Sequence, residues 1–246
     1  MKFIINADDC GYSKGVDVAI ERCFKDNLIT STTIMANMND FEGAVQLYQQ
    51  WNDRKSFGIH LNLSEGHPLR ESQLLMDKGY YSTENGVMSF NLQTVKNRYL
   101  PKDVRKELSK ELELQIIKVM DSGIVPSHID GHHHIHTSPF IIPMVMSLAK
   151  KYHINRIRRM GYVPTNHGIS KVIRIGWKRY AQLFHTKVLT ADYFCGYGYY
   201  VDFPFHRKGK ICELMIHPGD IHPEDEILLN QSFPFKQEEL LTYMDL

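Results

Sequence analysis

Short apolar runs alternate with segments of helical period along this chain, and that alternation restricts the fold more than any other feature. "KFIIN" near the start is an apolar run ended by polar residues and reads as a buried strand. A glycine-containing loop, "ADDCGYSKG", leads into "VDVAIERCFKDN", where Val16, Ala19, Ile20, Cys23 and Phe24 recur at helical spacing. "STTIMAN", rich in β-branched residues, reads as a second strand, "FEGAVQLYQQW" as a helix and "SFGIHLNL" as a third strand. The clearest helix is "PKDVRKELSKELELQIIKVMDSG": Pro101 opens it, Gly123 closes it, and Val104, Leu108, Leu112, Ile116 and Met120 are expected on one face. "PSHIDGHHHIH" follows as a strand end running into a loop. "PFIIPMVMSLAKKY" reads as a helix, "INRIRRM" and "CELMIHP" as strands, and an acidic helix is expected near "FKQEELLTYM", after the segment "EDEILL".

Strands alternating with helices imply a parallel sheet covered by helices. Roughly six to eight such units suit an α/β fold, a single-domain distorted (β/α) barrel of TIM-like form spanning 1–246, with an open doubly wound sheet as the alternative. Both architectures gather their chemistry at the C-terminal ends of the strands. Residues 65–100 are polar and carry Gly66, Pro68, Gly79 and Gly86, so they read as an irregular excursion, a lid or a partner surface.

Composition removes several classes of function. The net charge of +1 provides no basic field for nucleic acid. The 4 cysteines form no C-x-x-C pair, so free thiols in a reducing compartment are expected. The opening "MKFIINADDC" is broken by Asn6, Asp8 and Asp9 and does not read as a signal peptide. No run approaches the about 20 apolar residues that span a bilayer. A soluble cytoplasmic protein without a membrane or nucleic-acid partner is the expectation.

Four polar clusters fall at predicted strand ends: Asp8 and Asp9, His60, Asp130 with His132, and His217. Two imidazoles and one carboxylate form a common open ligand set for a divalent metal. Asp8 and Asp9 are adjacent, so on an extended segment they should point in opposite directions, one toward a metal and one toward its water. The histidines of "SHIDGHHHIH" cannot all aim inward, so one or two are expected as ligands. Taken singly, each cluster has a bland reading: His60 as a hydrogen-bonded core histidine, the aspartate pair as a cap, the histidine run as surface, His217 as a turn residue. Their coincidence at the strand ends favours a divalent-metal hydrolase.

The segments "IINADDCGYSKGVDVAI", "TSTTIMAN", "GIHLNLSEGHPL", "PSHIDGHHHIHTSP" and "ELMIHPG", in that order, resemble the YdjC-like (ChbG/HpnK) carbohydrate deacetylases, a family similar to the NodB-type polysaccharide deacetylases. The resemblance implies a distorted barrel and hydrolysis of the amide C–N bond of an N-acetylated amino sugar. It places the metal aspartate on Asp9, the metal histidines on His60 and His132, the catalytic base on Asp8 and the general acid on His217. An arginine that tunes the base is sought among Arg156, Arg158 and Arg159, with Arg158 preferred. Asp130 and His128 alternate with His132 and are expected to orient a ligand imidazole from behind. The family implies magnesium, whereas a His₂Asp set suits zinc on softness. It also implies a homodimer. Cys10 stands where the family often has phenylalanine. The aromatic stretch "ADYFCGYGYYVDF", residues 191–203, would suit a sugar-stacking wall or a hydrophobic edge.

Rival readings are another metal hydrolase on the same residues and a non-catalytic sugar-binding protein. A glycosidase needs a second, separated acid, and a phosphoesterase lacks its phosphate cradle here.

Overall fold

A computed structural model of the chain describes residues 1–84, 87–90, 99–159, 188–202, 204–219, 225 and 233–246. Met160 of the expected "INRIRRM" strand, Gly86, Phe203 and all but Asp225 of "EDEILL" lie outside the described residues.

The chain begins with β1 (Lys2–Cys10), α1 (Lys14–Lys25), β2 (Ser31–Ile34), α2 (Phe41–Trp51) and β3 (Ser56–Leu61). A short helix α3 (Gln73–Asp77) and an antiparallel hairpin, β4 (Tyr81–Glu84) with β5 (Val87–Phe90), follow. Next come α4 (Lys102–Asp121), β6 (Ile129–Gly131), a 3₁₀ segment (His132–Thr137) and α5 (Ile142–Lys151). Last are β7 (Tyr193–Gly196), α6 (Tyr197–Asp202) and β8 (Ile211–Ile216). Among the described residues the main sheet has 6 strands in the order β6-β3-β2-β1-β8-β7, and its pairings are parallel.

The sheet curls and continues past β6. Ile129 pairs with Ile157, and Arg156 pairs with Leu189, both in parallel. Leu189 precedes the start of β7 at Tyr193 by only a short stretch of chain, so the two ends of the sheet lie close along the sequence. This is the distorted (β/α) barrel, with "INRIRRM" contributing bridges rather than a regular strand.

The two faces of β1 differ. Phe3, Ile5 and Ala7 join the apolar cluster, with Val16, Ile20 and Phe24 of α1. Asn6 and Asp8, on the other face, are buried and hydrogen-bonded to each other at 2.8 Å. The core therefore lies outside the sheet, under the helices, and the inside is polar.

Several expectations need adjusting. Met120 is exposed, and Val119 takes its place in the buried face of α4. Each i+4 step overshoots a turn by about 40°, so four steps carry Met120 about 160° away from Val104. The excursion after residue 65 is partly regular, since it holds α3 and the β4–β5 hairpin. The acidic helix near the end is two 3₁₀ turns, Gln237–Glu239 and Tyr243–Asp245. Between them the chain docks on β1: Leu240 bridges Phe3, and the Leu241 N–H donates to the Phe3 carbonyl at 2.7 Å. Tertiary pairing overrides the helix propensity of that segment.

Candidate metal centre

The end of β1 is not a simple extended strand. Its register against β2 shifts between Ala7 and Cys10, and Asp9 sits in the left-handed region with φ 68°. A bulge re-aims side chains, and a non-glycine residue held at positive φ costs about 1–3 kcal/mol. Here the result is that Asp8 and Asp9 both serve the barrel interior, contrary to strict alternation. Asp8 meets Arg158 and Asp9 meets the histidines.

Asp9 Oδ1 has His60 Nε2 at 3.2 Å and His132 Nδ1 at 2.8 Å. Neither contact has hydrogen-bond geometry, which leaves that buried carboxylate oxygen without a hydrogen-bond partner among the described residues. Three lone-pair atoms thus converge on one point, the arrangement expected where a cation is held. The far nitrogen of each imidazole meets a carboxylate. His60 Nδ1 lies 2.6 Å from Asp130 Oδ1, and His132 Nε2 touches the Glu65 carboxylate. Such outer partners fix the tautomer and ring orientation of a metal-binding histidine. Thr33 Oγ1 donates to Asp130 Oδ2 at 3.1 Å and lies 3.2 Å from His60 Nδ1.

Arg158, fully buried, ties the site together. Its Nη1 and Nη2 donate to Asp8 Oδ2 and Oδ1 at 2.7 and 2.6 Å. Nη1 also lies 2.8 Å from Asp130 Oδ2, and Nε donates to Glu213 Oε1 at 2.7 Å. The Phe194 ring covers the guanidinium at 4.9 Å. Burial would raise the Asp8 carboxyl, but the charge and hydrogen bonds of Arg158 outweigh it and hold Asp8 far below the usual carboxylate range. Burial would lower His60, yet the charge and hydrogen bond of Asp130 and the neighbouring carboxylates of Asp9 and Asp8 hold it up to about 10. His132 is raised in the same way, against burial, by Asp9 and Glu65. With Asp8, Asp130 and Glu213 sharing one arginine and Asp9 set against His60 and His132, this interior attracts positive charge, as protons or as a cation.

His217, just past β8, lies 4.0 Å from Asp8 Oδ2 through Nε2. Its Nδ1 faces Asp225 Oδ2 at 3.2 Å, and the same oxygen accepts its backbone N–H at 2.9 Å. Burial opposes protonation of His217, but the bond to Asp225 and the charges of Asp8 and Asp9 raise it overall.

The structure brings Asp8, Asp9, His60, Asp130, His132, Arg158 and His217 to one end of the barrel. His128 is placed elsewhere. Its Nδ1 lies 2.8 Å from Ser127 Oγ, and its ring stacks on Tyr243 at 3.4 Å rather than on a ligand imidazole. The strand alternation is real, but one step of two residues back along β6 moves a side chain about 7 Å down the barrel. His133 bonds Ser64 at 2.9 Å and His134 packs edge-on to Phe194; both have positive φ. In the aromatic stretch, Phe194 reaches the site, while Tyr197 and Tyr200 pack on Phe235, and Tyr200 also on Phe3. Four site residues escaped the reading of the sequence. Glu213 had a signal, a lone carboxylate in an apolar strand. Thr33 and Glu65 lie within segments that carry the family resemblance, which assigns them no role, and Asp225 lies outside every such segment.

A model of the family described as YdjC-like protein matches residues 2–245. A carbohydrate deacetylase of Halalkalibacterium halodurans is 33% identical over 100% of this chain and 97% of its own length. A carbohydrate deacetylase of Brevibacillus brevis is 36% identical, over 63% of this chain and 58% of its own length. The matched part of the chain thus spans less than two thirds of that relative. Among solved structures, a protein of Enterococcus faecalis described as a candidate cellobiose-phosphate cleavage protein aligns with TM-score 0.71 and 25% identity, over 99% of this chain and 98% of its own.

Proposed function

The chain belongs to the YdjC-like family, and from that membership we propose that it is a metal-dependent carbohydrate deacetylase, hydrolysing the N-acetyl group of an amino sugar to acetate and free amine. The observation that carries this reading is the convergence of Asp9, His60 and His132 on one point beside an arginine-bound Asp8. Curated relatives named carbohydrate deacetylases support it.

Asp9, His60 and His132 would hold a divalent cation, which when bound polarises the acetamide carbonyl and acidifies water. Zinc suits this donor set by softness, and magnesium is the family's implication. Asp8 acts as general base. Arg158 keeps it ionised and fixes the plane of its carboxylate, so one lone pair stays available to take a proton from the attacking water. His217 acts as general acid. Asp225 takes its Nδ1 edge, which leaves the Nε2 proton directed at the site. The leaving amine is too basic to depart unprotonated, and Nε2 supplies that proton. Each such step contributes about 10²–10⁴-fold.

The substrate is read as a small acetylated amino sugar of chitooligosaccharide type. The Enterococcus relative's description makes a phosphorylated disaccharide a second candidate. A single domain over 1–246, a homodimer and a cytoplasmic location complete the reading; among the described residues no helix is long and apolar enough to cross a membrane. A non-catalytic sugar binder would have no use for the paired base and acid that Asp8 and His217 form.

The test is acetate release from N,N′-diacetylchitobiose and its phosphate ester, with chelated protein and after addition of Zn²⁺ or Mg²⁺. Cation-dependent release, abolished in Asp8→Asn, is expected. Cation binding without release from either sugar would sink the substrate assignment, and absence of both would leave the binding protein as the better reading.

A further inference from the structure

Glu213 and Tyr243 take no part in the chemistry above, yet both are fully buried and both point into the barrel. Glu213 is level with Ile4 in the β1–β8 register, below the layer of Asp8. Its Oε1 accepts from Arg158 Nε at 2.7 Å, and its Oε2 accepts from the Tyr243 hydroxyl. Both Glu213 oxygens therefore accept, and burial raises its carboxyl to about 7 against the charge of Arg158, so the ionised form is the one in place above neutral pH. Tyr243 is itself held on three sides. Its ring stacks on His128 at 3.4 Å and 8°, its N–H donates to Ser56 Oγ at 3.1 Å, and its hydroxyl is spent on Glu213.

A guanidinium is planar, so its five N–H bonds share one plane. On the outer edge, Nη1 and Nη2 of Arg158 serve Asp8 and Asp130. The Nε edge is anchored by Glu213 alone among the described residues. Without that anchor the plane can swing about the side chain, and it would carry two groups with it: the base Asp8, and Asp130, which orients His60.

We propose that Glu213 and Tyr243 are positioning residues: the relay Tyr243–Glu213–Arg158 sets the plane of the guanidinium and through it aligns both the Asp8 carboxylate and the His60 imidazole. The proposal rests on the deacetylase reading for its effect on turnover, but its effect on cation binding does not depend on that reading. It assigns a role to a 3₁₀ turn far along the chain from every motif residue.

Two variants separate geometry from charge. Glu213→Gln removes the negative charge and turns one of the two acceptor oxygens into a donor, so Arg158 Nε and the Tyr243 hydroxyl can no longer both donate to it, whereas Tyr243→Phe removes one hydrogen bond and leaves the charge in place. Both are made in the full chain, with folding followed by thermal melting. Zn²⁺ affinity is measured against a competing chelator, and kcat and KM by acetate release. Outer partners of metal ligands are worth about 10–100-fold. For Glu213→Gln, kcat is expected to fall at least about tenfold with KM within about twofold, and Zn²⁺ to bind several-fold more weakly. Tyr243→Phe should shift both quantities in the same direction by a smaller factor.

If Tyr243→Phe melts lower but keeps wild-type kcat and Zn²⁺ affinity, the relay is structural only and the proposal falls. It falls equally if Glu213→Gln weakens Zn²⁺ while Tyr243→Phe changes nothing, because charge alone then accounts for the effect. If the wild type releases no acetate but both variants weaken Zn²⁺ in that order, the relay stands and the deacetylase reading fails.

Discussion

The two faces of β1 are built on opposite principles. Outward, Phe3, Ile5 and Ala7 pack into a continuous apolar cluster beneath the helices, where contacts are many, non-directional and individually replaceable. Inward, Asn6 and Asp8 enter a stack of buried polar groups in which one guanidinium serves three carboxylates. The outer layer stabilises the fold in proportion to area. The inner layer adds little net stability, because desolvation offsets its Coulomb attraction, but it orients the groups proposed to do the chemistry. Substitution outside should therefore cost stability alone, and substitution inside should cost function, with stability lost as well where buried carboxylates lose the cation that pairs them.

The largest effect is expected where the inner layer loses Arg158, the guanidinium that three carboxylates share. Arg158→Met would leave Asp8, Asp130 and Glu213 buried together without the guanidinium that pairs all three, costing about 3–5 kcal/mol; chemical denaturation should show this, together with loss of turnover. A variant of wild-type stability would mean that the interior neutralises itself by protonation. On the outer face, Ile5→Ala should cost about 2–5 kcal/mol by cavity formation. Zn²⁺ affinity measured on the folded variant should stay at the wild-type value, and a weakened site would show that the two faces are coupled. Asp130→Asn keeps shape and removes the charge behind His60, so cation affinity should fall about 10–100-fold with little change in melting temperature.

The smallest effect concerns pH and sharpens the electrostatic side of the contrast. Without a cation, His60 carries a proton and is held up to about 10, above its ordinary value of 6.5. That proton stabilises the folded chain fully below about pH 6.5, and the contribution is lost as pH rises toward 10. Melting temperature of chelated protein should fall across this window, in excess of any fall seen with Zn²⁺ bound, since the metal replaces the proton. Parallel curves with and without Zn²⁺ would place the cation away from His60.

Much of the fold was legible because local signals were strong. α2 spans the same "FEGAVQLYQQW" that its periodicity marks, and β1 and β3 follow their apolar runs. The terminal segment was not legible, because its two 3₁₀ turns answer to Phe3 and Ser56, partners remote in sequence. Of the candidate site, the strand-end histidines and aspartates could be located as positions but not as directions. Alternation assigns Asp8 and Asp9 to opposite sides, and only the bulge with its positive φ brings both inward. The same rule groups His128 with His132, although the rise along the strand separates their roles.

What the sequence by itself determined is the inventory: which runs form strands, which faces are apolar, and which ionisable residues end the strands. These follow from period and side-chain type, properties of neighbouring residues. Only the tertiary structure decided that Arg158 rather than Arg156 or Arg159 is the arginine at the centre, that Glu213 and Tyr243 stand behind it, and that Asp225 backs His217. Those choices depend on how the strands curl and how far each side chain stands along the barrel. Long-range geometry of that kind is set by the packing of the whole sheet, which no local pattern records.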